Sequence, residues 1–366
     1  MTKVIYKLRP SIAIVEMEKK VEFFLSNIRK TIVIEFEEDI KEILFKFDGK
    51  KSVTEIMEDL NLNTEDVRVE FLNLVEYLNT NHILLKRDSE YIKEQKTFPR
   101  IFGFLEDYSL SIKEINNKFL EFQKKQVMVV GLGSVGTWVV HNLIMSGIKK
   151  IIIVDYDDIE LSNLHRQVGF FTEDVGKKKI DIIEKRLKEI QPDTEVIKIN
   201  DIVDDKFFNR YEFKNIDLIV NCADYPTVDA TSKIIGEYCM RNKIPHIIGG
   251  GYNLHLTLIG QVIIPGKTAC ISCFEKSLIE LNEIDMKNIK KMNTITRKIG
   301  SFPPLTALSA SITSNECIKV LFKLNNLTMT NNRSEFLLES MNFQNINFNR
   351  RIDCEWCGEN GKFYKL

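Results

Sequence analysis

No stretch of this 366-residue chain reaches the roughly 18 consecutive apolar residues that a bilayer-spanning helix needs, so no such helix is expected. The opening "MTKVIYKLRPSIAIVEMEKK" lacks the unbroken apolar core and small-residue cleavage site of a signal peptide. A soluble, cytoplasmic protein is therefore expected. An excess of either charge is missing too: 51 Lys and Arg stand against 52 Asp and Glu, a net charge of −1. That balance gives no electrostatic reason to expect nucleic acid or a membrane as partner. Cysteine is scarce, seven in all, and four of the seven fall in CxxC pairs. Such clustering fits metal ligation better than a disulfide framework. Internal repeats and low-complexity segments are absent. What is present is ordinary globular composition, with length for two domains or for a large one plus a small one.

Residues 1–90 differ in style from the rest. "TIVIEF" at 31–36 reads as a strand, and "DIKEILFKFDGKKSVTEIMEDL" as two helices around a turn at Gly49, the second started by Ser52 or Thr54. "NTEDVRVEFLNLVEYLNTN" places Val67, Phe71, Leu74, Val75 and Leu78 at helical spacing behind Thr64 as N-cap, and "HILLKRD" closes the segment as a strand. This order predicts a small winged-helix-like domain. Residues 91–124 follow as a linker containing Pro99 and a helix around 111–123. From 125 to 366 apolar runs such as "QVMVVG", "KKIIIVD" and "IDLIVNCAD" alternate with amphipathic helices. That alternation predicts an α/β fold with a doubly wound, mainly parallel sheet. "GYNLHLTLIGQVIIPG" reads as antiparallel strands appended to that sheet.

Between the first strand and helix of this part lie Gly131, Gly133 and Gly136 in a GxGxxG loop, with Asp155 at the end of the next strand. Such a loop offers backbone amides at a helix N-terminus to a phosphate, and the acid can hold a ribose. The loop alone does not separate NAD from ATP. The run after it does: Asp157, Asn163, Arg166, Gln167 and Lys179 gather polar and cationic groups near the ribose position. Nucleotidyl transfer needs cations and Mg²⁺ to neutralise a departing pyrophosphate, whereas hydride transfer does not. Arg166 can fork two phosphate oxygens, and Lys179 offers a point charge. Asp224, at the end of "DLIVNCAD", is placed where open α/β sheets bind ligands and can carry Mg²⁺ through water.

Taken together, "GLGSVG", "VDYDDIELSNLHRQVGFFTEDVGKKK", "CAD" and the two CxxC pairs resemble the E1-like (ThiF/MoeB) adenylyltransferase superfamily over roughly residues 125–360. The resemblance implies a Rossmann-like E1 adenylation fold and ATP-dependent conversion of a carboxylate into an acyl adenylate. It implies that Gly131, Gly133 and Gly136 line the nucleotide and that Asp155 holds the ribose. It further implies that Asn163, Arg166, Gln167 and Lys179 contact phosphates and that Asp224 serves Mg²⁺ and the α-phosphate. Ser134 stands where the superfamily usually has glycine. The superfamily also borrows an arginine from a partner subunit, which makes Arg100 in "TFPRIFGFLEDYS" the candidate and implies a homodimer.

Cys270 with Cys273 and Cys354 with Cys357 form two knuckles suited to one tetrahedral, structural Zn²⁺. Cys222, Cys239 and Cys317 read as buried structural thiols, and His165 and His246 receive no role. The crossover "FEKSLIELNEIDMKNIKKMNTITRKIGSFPP" contains no cysteine, which disfavours a thioester step. The N-terminal domain is not basic, so a peptide clamp is preferred to DNA binding, with "TIVIEF" adding a leader peptide as an extra strand. With that domain the whole chain resembles the peptide-modifying branch of MccB (microcin C) and PaaA (pantocin). The branch implies a ribosomally made precursor peptide as partner, activated at a glutamate side chain or at a C-terminal amide. Glutamate is preferred because it needs only ordinary carboxylate adenylation. The alternative is activation of a sulfur carrier or ubiquitin-like protein.

Overall fold

The computed structural model describes residues 4–36, 40–249, 251–252, 256–259, 261–281, 300, 302–325 and 327–364. It divides into two compact units, Met1–Glu121 and Phe122–Leu366. Among the described residues no helix is long and apolar enough to cross a membrane.

The first unit runs β1 (Ile5–Leu8), β2 (Ile12–Met17), β3 (Lys20–Leu25), β4 (Lys30–Glu35), α1 (Ile40–Phe45), β5 (Asp48–Ser52), α2 (Val53–Asp59), α3 (Glu65–Thr80), β6 (Leu84–Lys86), α4 (Pro99–Glu106) and α5 (Ile112–Lys124), which carries the chain into the second unit. Two antiparallel three-stranded sheets form, β5-β1-β6 and β2-β3-β4. Along β3 the buried residues alternate as Val21, Phe23 and Leu25. They join Leu44, Phe47, Ile56, Phe71, Val75 and Leu78 in one core. Ser52 is the N-cap of α2 in a capping box: its Oγ accepts from the Glu55 amide at 3.3 Å, and Glu55 accepts from the Ser52 amide at 2.8 Å. Thr64 is the N-cap of α3 but makes no side-chain cap bond.

Several local expectations change. Gly49 is not a turn between helices; it lies in β5 at φ +82, opposite an irregularity in β1. Val67 is 42% exposed, because residues 63–70 are all exposed and the start of α3 stands clear of the core. Pro99 belongs to a helix rather than a linker, at the first-turn position where its missing N–H costs nothing.

The second unit continues with β7 (Gln126–Val130), α6 (Ser134–Met145), β8 (Lys150–Val154), α7 (Lys179–Ile190), β9 (Glu195–Ile199), α8 (Phe207–Arg210), β10 (Leu218–Asn221), α9 (Val228–Asn242) and β11 (His246–Ile248). After these come β12 (Gly251–Tyr252), β13 (Leu256–Ile259), β14 (Val262–Ile263), α10 (Ile271–Leu281), α11 (Pro303–Leu321), β15 (Asn332–Leu337) and β16 (Asn342–Asn347). The central sheet has the order β14-β11-β10-β7-β8-β9 and is parallel except for β14. Its inner strands are apolar on both faces, as burial between two helical layers requires. Of the strands expected to extend this sheet antiparallel, only β14 does so. β12 and β13 join the hairpin β15–β16 in a separate four-stranded sheet, where Leu256 pairs with Leu337.

Candidate active site

The chain runs from β7 through β8 to β9 on one side, then returns to β10 on the other side of β7. The C-terminal ends of β7 and β10 are therefore the topological switch point, where such sheets open a crevice. Gly131 directly follows β7 and takes φ +87. A Cβ there would stand 2.7 Å from the Ala223 amide nitrogen, so the loop presses against the chain leaving β10. A Cβ on Gly136 would overlap the Gly131 carbonyl oxygen at 1.8 Å, which fixes α6 close to the loop. Gly133 is the N-cap of α6 and has open space around it, and no side chain caps the helix. A helix start of this kind receives anions readily.

Asp155 follows β8 and is 8% exposed. Its Oδ2 accepts from the Leu132 amide at 2.5 Å and its Oδ1 from the Asp157 amide at 2.9 Å. Burial pushes its carboxyl up, against the opposing pull of Lys179 and those two amides. Residues 157–159 pair with 176–179 through backbone bonds, including Ile159 N–H to the Lys177 carbonyl at 2.8 Å. That pairing carries Lys179, only 4% exposed, to Asp157, with Nζ 2.7 Å from Oδ2. The Tyr156 phenol is raised by partial burial, then by the charges of Asp157, Asp155 and Asp224 with Tyr225. Its ring centroid lies 6.1 Å from that of Tyr225. Asp224 thus shares an electrostatic neighbourhood with both acids after β8.

Asn163 and Gln167 are buried on one turn, where Asn163 Oδ1 accepts from the Glu160 amide at 3.0 Å. Gln167 Oε1 is buried without a hydrogen-bond partner, an unusual state for a side-chain amide. Arg166 folds back, donating to the Ser162 carbonyl at 2.6 Å and lying 2.7 Å from His165 Nε2.

The sequence reading overlooked two supporting residues. Asn221, the one polar residue in β10, donates to Thr231 and Ser232 at 3.0 Å each and accepts from the Ala223 amide at 3.1 Å. It sets the path of the chain toward Asp224, and an asparagine ending an apolar strand was its only signal. Asp174, 2% exposed, accepts from the Phe171 amide at 3.1 Å and from Arg186 at 3.0 Å. Burial alone would raise its carboxyl, but the Phe171 amide, Lys177 and Arg186 outweigh that and hold it below the usual range. Asp174→Ala is expected to destabilise the second unit by about 3 kcal/mol in urea unfolding at neutral pH, since it removes a buried acceptor from the Phe171 amide, from Lys177 and from Arg186, whose remaining ion-pair partner is the exposed Glu189. The same contribution should fade in the parent as pH falls below the ordinary Asp range of about 3.9 through the lower folded value.

Arg100 lies in the first unit as an exposed residue in the first turn of α4. Cys239 and Cys317 are buried, as expected for structural thiols, and burial pushes the partly covered Cys222 up to about 12. His246 is buried, and His165 is exposed beside Arg166. The cysteine-free crossover lies outside the described residues over 282–299 and at 301.

Cys270, Cys273, Cys354 and Cys357 are all buried, with their sulfurs within 4.8 Å of one another. The separations of 3.9, 3.5 and 3.3 Å bracket the edge of about 3.8 Å that a tetrahedron with Zn–S bonds near 2.3 Å requires. The Trp356 amide donates to Cys354 Sγ at 3.4 Å. The cluster is compatible with zinc, and four thiolates would leave no position open for water.

MccB of E. coli crystallised with ATP matches with a TM-score of 0.75 and 24% identity, over 96% of this chain and 99% of that one. PaaA matches with a TM-score of 0.69 and 19% identity, over 93% and 99%. The mainly parallel E1-like sheet and a small separate N-terminal domain, both expected from the sequence, are present; the two antiparallel sheets of that domain go beyond the winged-helix-like order read from the sequence, which did not include β1, β2 or β3. Among curated proteins, the tRNA threonylcarbamoyladenosine dehydratase of Haemophilus influenzae is 33% identical over 129 residues, 35% of this chain and 48% of that protein. Ubiquitin-like modifier-activating enzyme 5 of Aedes aegypti is 29% identical over 220 residues, 57% and 53% of the two. The chain spans about half the length of these curated relatives. With the ThiF family model matching residues 108–356, the stretch that contains the glycine loop, Asp155, Lys179, Asp224 and three of the four clustered cysteines, Cys270, Cys273 and Cys354, the chain belongs to the ThiF family.

Proposed function

We propose that the chain is an ATP-dependent adenylyltransferase that activates a carboxylate of a ribosomally made precursor peptide. A carboxylate oxygen attacks the α-phosphorus, the bond from that phosphorus to the bridging oxygen breaks, and pyrophosphate leaves with the electron pair. Gly131, Gly133 and Gly136 receive the nucleotide. Asp155 turns its remaining lone pairs to the ribose. Lys179 and Arg166 neutralise the phosphates, and Asn163 and Gln167 orient them through their amide N–H groups. Asp224 holds Mg²⁺ through water, and Arg100 acts across a homodimer.

The observation that carries the peptide reading is where the likeness extends. The ThiF match begins at residue 108, whereas the fold match to MccB covers 96% of the chain and so takes in the first unit. One such MccB structure is a complex with N-formylated MccA. In this chain β4 pairs only with β3 among the described strands, leaving an edge to which an extended peptide can add. Val67, Val69 and Leu72 on α3 are exposed and offer apolar contacts. A glutamate side chain is the favoured carboxylate, as it needs no chemistry beyond adenylation.

Incubating the protein with MgATP and the peptide encoded by an adjacent small reading frame, followed by mass spectrometry, tests the reading. Gain of AMP marks microcin-like chemistry, and loss of water with CO₂ marks pantocin-like chemistry. Pyrophosphate–ATP exchange that needs neither the peptide nor Asp224 would overturn the proposal. A second reading, activation of a protein carrier, draws support from the match to the ubiquitin-like modifier-activating enzyme. Adenylation of a small carrier protein in place of the peptide would favour it.

A further inference from the structure

Within the first unit, the ends of β1 and β6 meet α4 and the start of α5 around a cavity of about 180 Å³. Lys7, Arg9, Arg87, Tyr91 and Glu106 line it, with apolar walls that include Leu8 and Ile112. Three cations thus face one carboxylate in a chain whose net charge is −1.

Among the described residues only Arg87 of the three cations has an ion-pair partner of its own, and the one carboxylate in the pocket, Glu106, leaves an excess of positive charge there. Arg9 is 2% exposed, and its guanidinium donates to three backbone carbonyls, those of Leu84 at 3.3 Å, Ser109 at 2.6 Å and Glu106. These bonds use three of its five N–H groups. None of the acids that act on Arg9 forms an ion pair with it, although Glu106, the strongest of them, keeps its charge inside the same pocket. The Glu106 carboxylate accepts from Tyr91 Oη at 2.5 Å, Asp107 accepts from Ser11 at 3.2 Å and from Asn27, and Glu114 pairs with Lys118 at 2.8 Å. Arg9 therefore has no ion-pair partner among the described residues, a costly state for a buried cation. The Lys7 ammonium has neither a hydrogen-bond nor an ion-pair partner among them, its pairing with β5 and β6 being through the backbone. Arg87 is braced on the Gly49 carbonyl at 2.8 Å and pairs with the exposed Glu90 at 3.1 Å. A Cβ on Gly49 would come within 3.2 Å of both Arg87 Cδ and Lys7 Cβ. Glycine at that left-handed position keeps the two cationic side chains where they are.

We propose that this pocket binds a carboxylate carried on a short apolar stem, the side chain of a glutamate or aspartate in an extended peptide. The carboxylate takes the Lys7 ammonium and the spare guanidinium donors, while Leu8 and Ile112 cover the stem. The peptide source rests on the reading of the first unit given above; the carboxylate chemistry does not, because it follows from the pocket's own charges.

Calorimetric titration of the full-length protein, without nucleotide, tests this with N-acetyl-glutamate N-methylamide, its glutamine analogue, glutarate and inorganic phosphate. The glutamate compound should bind and its glutamine analogue should not. Lys7→Glu should weaken binding about tenfold or more, the effect of losing one charge-assisted hydrogen bond and adding a repulsion, and added salt should weaken it in the parent. Lys7 is exposed, so the variant should fold, which an unchanged melting curve would verify. Equal binding of the glutamine analogue, or unchanged affinity in Lys7→Glu, overturns the proposal. Tighter binding of glutarate or phosphate overturns the peptide source. No result here depends on catalysis, so failure of the adenylation reading would remain a separate observation.

Discussion

Asp224→Ala is expected to lower peptide-dependent pyrophosphate–ATP exchange by roughly 10³-fold while changing unfolding free energy by less than about 0.5 kcal/mol. The two halves of this result come from one piece of geometry. Asp224 is exposed, lies beyond the end of β10, and makes no hydrogen bond or ion pair with the described residues. Removing it disturbs little in the fold. In the proposed reaction, however, it brings Mg²⁺ to the phosphates, and an electrostatic contact realised as charge develops is worth several kcal/mol. Asp224→Asn keeps the shape and removes the charge, so a comparable loss in that variant would assign the effect to the metal. Exchange within threefold of the parent in both variants would remove Asp224 from the mechanism.

Cys354→Ser is expected to abolish metal binding, from one zinc per chain to none by elemental analysis, and to unfold the second unit at 37 °C. Structural zinc contributes about 10–16 kcal/mol of apparent binding free energy in small domains, as much as or more than the total stability of most folds. Here the cysteines sit in a cluster with Met240, Ile263, Phe274, Phe348, Trp356 and Phe363. Trp356 packs edge-on against Phe363 at 5.6 Å, which makes its fluorescence a local reporter. Limited proteolysis should cut the variant and spare the parent. A variant that keeps both the metal and the parent's resistance would show that the cluster is not a zinc site.

The second unit was readable because its physics is local. Strands such as "KIIIV" must be apolar on both faces, a GxGxxG loop must follow the first of them, and knuckles announce themselves by spacing. The first unit hid more. β2 and β3 join through Glu18 and Lys19, a pair without the glycine or asparagine that marks a tight hairpin. The turn into β4 uses Arg29 at φ +54. β13 was misassigned because its partner β15 lies about 80 residues further along, beyond any local pattern. At the candidate site residue types were legible but their first allegiances were not. No pattern announces that Lys179 is buried against Asp157, or that Asn221 steers the chain toward Asp224.

The bond from the Leu132 amide to Asp155 has a consequence for how quickly a nucleotide can be captured. Because the acid and the glycine turn are joined by the protein's own hydrogen bond, the shape of that part of the crevice is set by the fold. Ordering entropy is met during folding instead of at encounter, so capture there should run at the pace of diffusion and electrostatic attraction rather than of loop closure.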